Sequence, residues 1–151
     1  MASENRNPLQ KVSKNLGVAW EEGYGYSQAV KVGNTVYLSG QLSHNDKGEM
    51  VAPAPLDADG KVTDFSNMEA QMVQTYANCV TLLSAYGLTL DHVVEETVYV
   101  LDMDAAFQVA GPVRKKAFGS PRPEVASTML VTPRLAIPTQ LIEISMVAIV
   151  S

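Results

Sequence analysis

The stretch QAVKVGNTVYLSGQLS, residues 28–43, alternates apolar and polar side chains on both sides of Gly33-Asn34. Alternation with a period of two is typical of a strand that buries one face. A Gly-Asn pair suits the positive φ values of a two-residue hairpin turn. The stretch therefore predicts a β-hairpin, which forms the first part of a sheet.

The chain after the hairpin loses its regular pattern and then regains it. Residues 44–66 are rich in Gly, Pro and Asp and keep no sustained period, which predicts a long excursion loop. Ser66 is placed to cap a helix that runs through NMEAQMVQTYANCVTLLSAY and ends at Gly87. The apolar residues expected on the buried face of this helix are Met72, Val73, Tyr76, Ala77, Val80 and Leu83.

The second half of the chain alternates strand-like and helix-like stretches. Residues 92–103 are rich in β-branched side chains and predict a strand. Residues 104–118 predict a weaker helix, interrupted at Gly111-Pro112 because proline removes a backbone donor. Two further strands are predicted over 125–131 and 140–150. Together with the hairpin, these elements predict an α+β fold in which a mixed sheet carries two helices on one face.

Such a sheet has a second face that the two helices cannot cover. The last predicted strand is apolar at nearly every position, which is typical of burial on both faces. We therefore expect other copies of the chain to cover the second face, which makes the protein a homo-oligomer. The length of 151 residues fits one domain over 1–151, with 1–15 as a flexible N-terminal segment.

Composition and charge argue against several classes of function. The net charge of −5 is opposite in sign to the basic surface that binds nucleic acid. No stretch approaches 18 consecutive apolar residues, and the N-terminal residues lack an apolar signal region, so we expect a cytoplasmic protein outside the membrane. Cys79 is the single cysteine and is expected to be a core thiol. His44 and His92 have no Cys or His at ligand spacing, so we expect no metal.

Arg122 lies between two prolines in the stretch GSPRPEVASTML, residues 119–130. Each proline fixes its own φ, and Pro123 also restricts Arg122 to extended or polyproline-like conformations. The arginine is therefore expected at the start of a strand, with little conformational freedom. It is either a surface arginine in a tight connection or a receptor for an anion, and the stretch alone leaves both interpretations open.

Glu143 interrupts the apolar strand QLIEISM, where an ionised carboxylate is unfavourable unless it is paired or reached by water. One interpretation is a structural ion pair across the sheet or at a subunit contact. The other is a general acid or base that acts directly or through a bound water. The sequence lacks the usual phosphate-loop, dinucleotide, zinc-protease and serine-nucleophile motifs, so Arg122 and Glu143 are the main candidates for chemistry.

Several segments of the chain follow one another in a characteristic order. They are YSQAVKVGNTVYLSGQL, QMVQTYANCVTLLSAYGL, DHVVEETVYVLDM, the proline-arginine stretch and the terminal IEIS. The most specific features are SGQ after the hairpin, an arginine 82 residues beyond Gly40, and the terminal IEI. In these features the sequence resembles the reactive intermediate deaminase family, also called Rid or YjgF, over roughly residues 24–150.

The resemblance implies a chorismate-mutase-like α+β fold and a homotrimer with active sites in clefts between subunits. It also implies hydrolysis of enamine or imine intermediates, such as 2-aminoacrylate, to a 2-keto acid and ammonia without a cofactor. The family's carboxylate-binding arginine matches Arg122, and the acid associated with the attacking water matches Glu143. Tyr26 matches the pocket tyrosine, and Ser39 and Gly40 match positions that line the cleft.

The sequence also departs from the family pattern. Glu124 stands where many relatives have a cysteine, Gly111 replaces a common asparagine, and the loop over 44–66 is longer than usual and is expected to shape the pocket rim. Because residues i and i+2 of an extended chain share a face, Glu124 can lie beside Arg122 in the substrate pocket and partly neutralise it. These departures favour an alternative function, in which a non-catalytic trimer of the same fold binds small carboxylates or has a regulatory role. Ribonuclease activity, attached to some relatives, is disfavoured by the acidic charge and the lack of a histidine pair.

Overall fold

The computed structural model describes residues 8–151, which form six strands, three α-helices and a 3₁₀ turn at Leu90–His92. The strands are β1 (Val12–Lys14), β2 (Ala29–Val32), β3 (Thr35–Gln41), β4 (Val93–Val100), β5 (Ala126–Val131) and β6 (Ile142–Ile149). The helices are α1 (Ala19–Tyr24), α2 (Met68–Ser84) and α3 (Met103–Phe118). The six strands form one sheet in the order β1-β2-β3-β6-β4-β5.

The predicted hairpin is confirmed as β2 and β3, which pair antiparallel up to the pair Val32–Thr35. Gly33 has a φ of 57°, a value that glycine adopts without steric cost, whereas Asn34 does not have the positive φ that the sequence suggested for it. β6 pairs antiparallel with both β3 and β4, whereas β4 and β5 run parallel. The sheet is therefore mixed, as predicted.

The hydrophobic core lies between α2, α3 and one face of the sheet. Val98 and Ile144 of the sheet and Leu82 of α2 are at most 1% exposed. Cys79 is fully buried in the same core, which confirms the predicted core thiol. The α+β arrangement predicted from the sequence is therefore confirmed, with α1 as an additional short helix.

The buried face of α2 matches the prediction only in part: Met72, Tyr76 and Leu83 are buried, and the other three predicted residues are not. Val73 and Val80 are 51% and 41% exposed, and Ala77 is exposed as well. Gln71 and Thr75 take buried positions instead. A count of apolar residues misses these two because their side chains bond to backbone groups, which offsets the penalty of burying a polar group.

The helix boundaries bring two further corrections. Asn67, and not Ser66, directly precedes α2, and the Ser66 hydroxyl bonds within the turn before it. α3 is continuous through Pro112, so the predicted interruption is wrong. Pro112 is exposed, whereas Ala110 and Val113 pack into the core on either side of it, and this packing holds the helix together despite one missing donor.

The region over 44–66 is more regular than the predicted excursion loop. It contains two tight turns, residues 45–49 and 57–61. In each turn the N–H of the first residue donates to the carbonyl of the fifth, and the N–H of the fourth donates to the carbonyl of the first. The fourth residues, Gly48 and Gly60, have φ values of 80° and 76°, so each turn needs its glycine.

Gln71 ties this region to the stretch before β6. Its side-chain N–H groups donate to the carbonyls of Ala52 and Thr139, both at 2.9 Å. Its side-chain oxygen accepts the N–H of Leu141 at 2.8 Å. One buried side chain of α2 therefore binds both the 44–66 region and the stretch before β6.

The N-terminal part contains two elements that the sequence pattern did not predict, β1 and α1. β1 pairs with β2, so the expectation of a flexible segment over 1–15 is wrong for residues 12–14. The first seven residues of that segment lie outside the described part of the chain.

The sheet face opposite α2 and α3 is open within one chain. Ile142 and Ile144 point to the core and are fully buried, whereas Ile149 is 40% exposed and Tyr37 of β3 is 51% exposed. Burial of β6 on both faces is therefore not reached within a single chain. In residues 8–151 no helix has both the length and the apolar character that crossing a membrane requires.

Candidate functional site

A β-bulge in β3 opens the sheet next to β6. The register between the two strands shifts between Leu38 and Gln41, which leaves Ser39 and Gly40 in the bulge. The Ser39 hydroxyl donates to the carbonyl of Ser27 at 2.7 Å and holds the bulged segment in place. Bulges of this kind redirect side chains, and here the space that a side chain at position 40 would take is occupied by the Glu143 carboxyl group.

A cavity of about 290 Å³ lies over this bulge. Four of the residues predicted from the sequence line it together, Tyr26, Ser39, Gly40 and Glu143. The remaining lining residues are mostly apolar, and they are Trp20, Tyr24, Leu42, Ala136 and Ile137. We call this space the Glu143 cavity.

Glu143 is half-buried and lies directly against Gly40. A β-carbon at position 40 would stand 2.7 Å from Cγ of Glu143 and closer still to its carboxyl group. Burial raises the pKa of the Glu143 carboxyl above its ordinary value, and the side chain of Gln140 partly offsets this. Within residues 8–151 Glu143 forms no ion pair, so the structural ion pair considered for it is not present in the described chain.

Tyr26 is positioned by the end of α1. The Glu21 carboxylate accepts backbone N–H bonds of 2.8 to 3.1 Å from three residues before the helix, Leu16, Gly17 and Val18. At the other end, Gly25 has a φ of 74°, and the N–H groups of Gly25 and Tyr26 donate to the Glu21 carbonyl. Burial raises the pKa of the Tyr26 hydroxyl, and the negative charges of Glu21 and Glu143 add to the effect, so the hydroxyl remains a donor at neutral pH.

Arg122 and Glu124, the other two predicted site residues, lie elsewhere in the chain. They line a second cavity of about 290 Å³, which includes neither Glu143 nor Tyr26. β5 begins at Ala126, so Arg122 precedes the strand by several residues instead of starting it. Glu124 shares the cavity of Arg122, but one chain does not bring Arg122 into the Glu143 cavity.

A buried ion pair that the sequence analysis did not find joins both long helices to the sheet. Glu96 of β4 is 1% exposed and accepts a bond of 2.5 Å from Nε of Arg114 in α3. The hydroxyl of Tyr76 in α2 donates to the second carboxylate oxygen at 2.8 Å. Arg114 also donates to the hydroxyl of Ser127 in β5 at 3.1 Å. This pair is separate from the one considered for Glu143, whose alternative at a subunit contact stays a prediction.

Gly40→Ala is expected to displace the Glu143 side chain, because the new β-carbon would overlap its carboxyl group. The overlap falls on the end of a flexible side chain, so we expect a folded variant destabilised by about 1–3 kcal/mol. A crystal structure checks the displacement and urea unfolding checks the stability. Gly111→Ala is the matched control, because no atom outside its own helix lies within 4 Å of the added carbon. An unmoved Glu143 in the variant would contradict the prediction.

The fold and the Glu143 cavity define a small α+β domain that holds an acid over a β-bulge, next to an open sheet face. Residues 19–150 match the family described as endoribonuclease L-PSP. The chain therefore belongs to this family, which is the Rid or YjgF family that the sequence resembles.

Individual relatives agree with this assignment. The chain is 37% identical over 99 residues to 2-iminobutanoate/2-iminopropanoate deaminase of Dermatophagoides farinae, an alignment that covers 65% of this chain and 66% of that protein. It is 35% identical over 98 residues to a RutC family protein of Saccharolobus solfataricus, with 65% and 68% of the two chains covered. The alignment with the deaminase thus spans just under two thirds of that protein's length.

A solved structure supports the fold over nearly the whole chain. A member of the YjgF/YER057c/UK114 family from Mycobacterium tuberculosis superposes with a TM-score of 0.72 and 27% sequence identity. The superposition covers 93% of this chain and 100% of that one. The family predicted from the sequence is therefore confirmed.

Proposed function

We propose that this protein hydrolyses reactive enamine or imine intermediates to a 2-keto acid and ammonia. The observation that carries the proposal is Glu143, a carboxyl group with a raised pKa that lines a cavity beside Gly40 and forms no ion pair within residues 8–151. A perturbed acid in a cavity is a common property of catalytic sites. The relative named 2-iminobutanoate/2-iminopropanoate deaminase supports this reaction class.

In the proposed mechanism Glu143 acts as a general base. It takes a proton from a water molecule while the water oxygen adds to the carbon of the protonated imine, which gives a neutral carbinolamine. Protonated Glu143 then returns its proton to the amine nitrogen as the C–N bond breaks, and the carbinolamine hydroxyl loses its proton to solvent, so ammonia leaves and a carbonyl group forms. The product is a 2-keto acid, and the reaction needs no cofactor because an imine is already electrophilic.

The carboxylate of the substrate would be bound by Arg122 of a neighbouring copy. A guanidinium binds a carboxylate through two parallel hydrogen bonds, and the adjacent prolines reduce the entropy lost on binding. The second chain is needed because Arg122 and Glu143 of one chain line different cavities. The open sheet face, with Tyr37 and Ile149, offers a surface for such a contact. We therefore propose a homotrimer with its sites between subunits.

The oligomeric state can be measured directly. Light scattering at micromolar concentration is expected to give three times the chain mass of 16.3 kDa. Burial of the open sheet face between copies is the physical reason, since exposed apolar patches of this kind mark contact surfaces. A mass near 16.3 kDa would contradict both the trimer and the shared site.

Arg122→Ala is expected to abolish carboxylate binding and deamination while the mass and the melting temperature stay nearly unchanged. Arg122→Lys should rescue only part of the binding, because lysine keeps the charge but loses the planar pair of donors. If Arg122→Ala unfolds or dissociates the protein, the arginine is structural and its proposed role is wrong.

Mixing variants tests whether the site is shared between chains. Mixed trimers of Arg122→Ala and Glu143→Gln chains contain some interfaces at which both residues are intact. Random assembly leaves about a quarter of the sites intact, so activity should return when two inactive proteins are denatured and refolded together. Activity that stays absent in assembled mixed trimers would indicate that both residues of a site belong to one chain.

The reaction itself is tested with a pyridoxal-phosphate lyase that generates 2-aminoacrylate. Faster release of ammonia and pyruvate than in the control without this protein would support the proposed activity. No acceleration with several amino acid precursors would favour a non-catalytic trimer that binds small carboxylates. The observation behind that second candidate is the cavity of Arg122, which also contains the acids Asp91 and Glu124. Ribonuclease activity has less support, because the net charge of −5 opposes binding to a phosphate backbone.

A further inference from the structure

A third cavity, which we call the Arg134 groove, lies between the turn at 57–61 and the stretch after β5. Its volume is about 600 Å³. Most of its lining is apolar and comes from Leu56, Val62, Phe65, Leu101, Pro133 and Pro138. The charged residues that line it are Asp59, Lys61 and Arg134. It shares no lining residue with the Glu143 cavity or with the cavity of Arg122.

The groove carries more positive than negative charge, although the protein as a whole is acidic. Lys61 and Arg134 face one acid, Asp59, whereas the chain has a net charge of −5. Within residues 8–151 neither Lys61 nor Arg134 forms an ion pair. Two unpaired cations beside an apolar surface suit a ligand that has an anionic end and an apolar body.

Both cations stand on backbone that is held in place. The Asp57 carboxylate accepts the N–H groups of Asp59 and Lys61 at 2.8 and 3.0 Å, which fixes the turn that presents Lys61. The Thr132 hydroxyl donates to the carbonyl of Arg134 at 3.2 Å. A backbone that is already ordered loses less entropy when a ligand binds.

One short stretch of chain, residues 133–138, contributes lining residues to both the groove and the Glu143 cavity. Pro133, Arg134 and Pro138 line the groove, and Ala136 and Ile137 of the same short stretch line the Glu143 cavity. Gln71 fastens the end of this stretch through the carbonyl of Thr139, next to Pro138. A ligand in the groove therefore contacts residues that are continuous with the wall of the other cavity.

We propose that the Arg134 groove binds an organic anion, a carboxylate that carries a hydrocarbon chain or ring, and that its occupancy shifts the wall of the Glu143 cavity. The apolar body of the ligand lies on the apolar lining, and Lys61 and Arg134 bind its carboxylate. The groove uses none of the residues assigned to the proposed deamination, so binding in it can be tested whether or not the protein has that activity.

Calorimetry with hexanoate tests the site, with hexylamine as a probe of the same length but opposite charge. Hexanoate is expected to bind saturably and hexylamine is not. Arg134→Ala and Lys61→Ala should each weaken hexanoate binding roughly tenfold, because each removes one charge-assisted contact. Lys47→Ala, which removes a cation from the other turn of the same region, is the matched control and should have no effect.

Two further variants show where hexanoate binds. Binding that survives Glu143→Gln and Arg122→Ala but weakens in Arg134→Ala supports the groove. Binding that is lost in Arg122→Ala and kept in Arg134→Ala places hexanoate in the candidate active site and overturns the proposal. Equal binding of hexanoate and hexylamine, or no binding, also overturns it.

Trp20 is the single tryptophan of the chain and lines the Glu143 cavity together with Ala136 and Ile137. Its fluorescence emission can therefore detect a change in that cavity. Hexanoate is expected to shift the emission of Trp20 in the parent protein and in Glu143→Gln. The shift should disappear in the double variant Lys61→Ala/Arg134→Ala. Saturable binding in the groove with no change in emission would overturn the proposed effect on the Glu143 cavity.

Discussion

Glu143→Gln is expected to lower turnover by on the order of 10²- to 10⁴-fold and to leave ligand affinity close to that of the parent protein. The amide keeps the shape of the carboxyl group and some of its hydrogen bonds, but it cannot accept a proton. Single-turnover rates and a binding titration on one preparation separate the two effects. Glu69→Gln, which changes an exposed acid in the first turn of α2, is the matched control and should keep the parent rate.

The stability of the same variant distinguishes a catalytic acid from a structural one. Burial raises the pKa of Glu143 in the folded protein above its unfolded value, so its favourable contribution to folding is present below the unfolded pKa. That contribution is lost as the pH rises through the folded pKa. At neutral pH, Glu143→Gln should therefore keep or raise the melting temperature. An unchanged rate together with a collapsed melting temperature would contradict the catalytic role.

The rate of the parent protein should depend on pH through the same group. A general base works only when it is ionised, so the rate should rise as the pH increases through the raised pKa of Glu143. This rise of the rate with pH should be absent from the residual activity of Glu143→Gln. If the rise persists in the variant, the pH dependence belongs to a different group.

Arg114→Met is expected to destabilise the protein by about 3–5 kcal/mol, because it leaves the buried Glu96 carboxylate without its cation. Methionine keeps much of the apolar length of arginine, so little of this loss comes from packing. Urea unfolding at neutral pH measures the effect. Lys115→Met, which changes the exposed neighbour on α3, is the matched control and should change stability little.

A double variant identifies the cause of that destabilisation. If the unpaired charge is responsible, Arg114→Met combined with Glu96→Gln should recover a large part of the lost stability. The recovery would be incomplete, because the Tyr76 hydroxyl would then bond to a neutral amide. A double variant that is less stable than Arg114→Met alone would contradict this explanation.

The parts of the fold that the sequence predicted correctly have short, local signals. The hairpin follows from alternation around Gly33-Asn34, and the central strand β6 follows from its nearly continuous apolar run. The acid of the site was also visible, because Glu143 breaks that run. These signals depend on neighbouring residues, so a pattern along the chain is sufficient to find them.

The parts that were missed depend on contacts between distant segments. The pattern along the chain places Val73 and Val80 in the core, but both are exposed. The buried face of the helix instead carries polar side chains such as Gln71, which bonds to the 44–66 region. The pair of Glu96 and Arg114 joins residues 18 positions apart on different elements. The cavity includes Trp20 and Ile137 because α1 and the stretch before β6 meet over the bulge. Neither meeting leaves a periodic pattern in the sequence.

The burial of Cys79 makes the protein a reporter of its own unfolding. The thiol has no exposed surface, and burial raises its pKa, so a folded molecule offers an alkylating reagent almost no thiolate. Labelling then requires the core around α2 to open. Since the chain has a single cysteine, each molecule that has opened gains the mass of one label. Mass spectrometry of a timed labelling reaction can therefore measure how often the core opens, under native conditions and without denaturant.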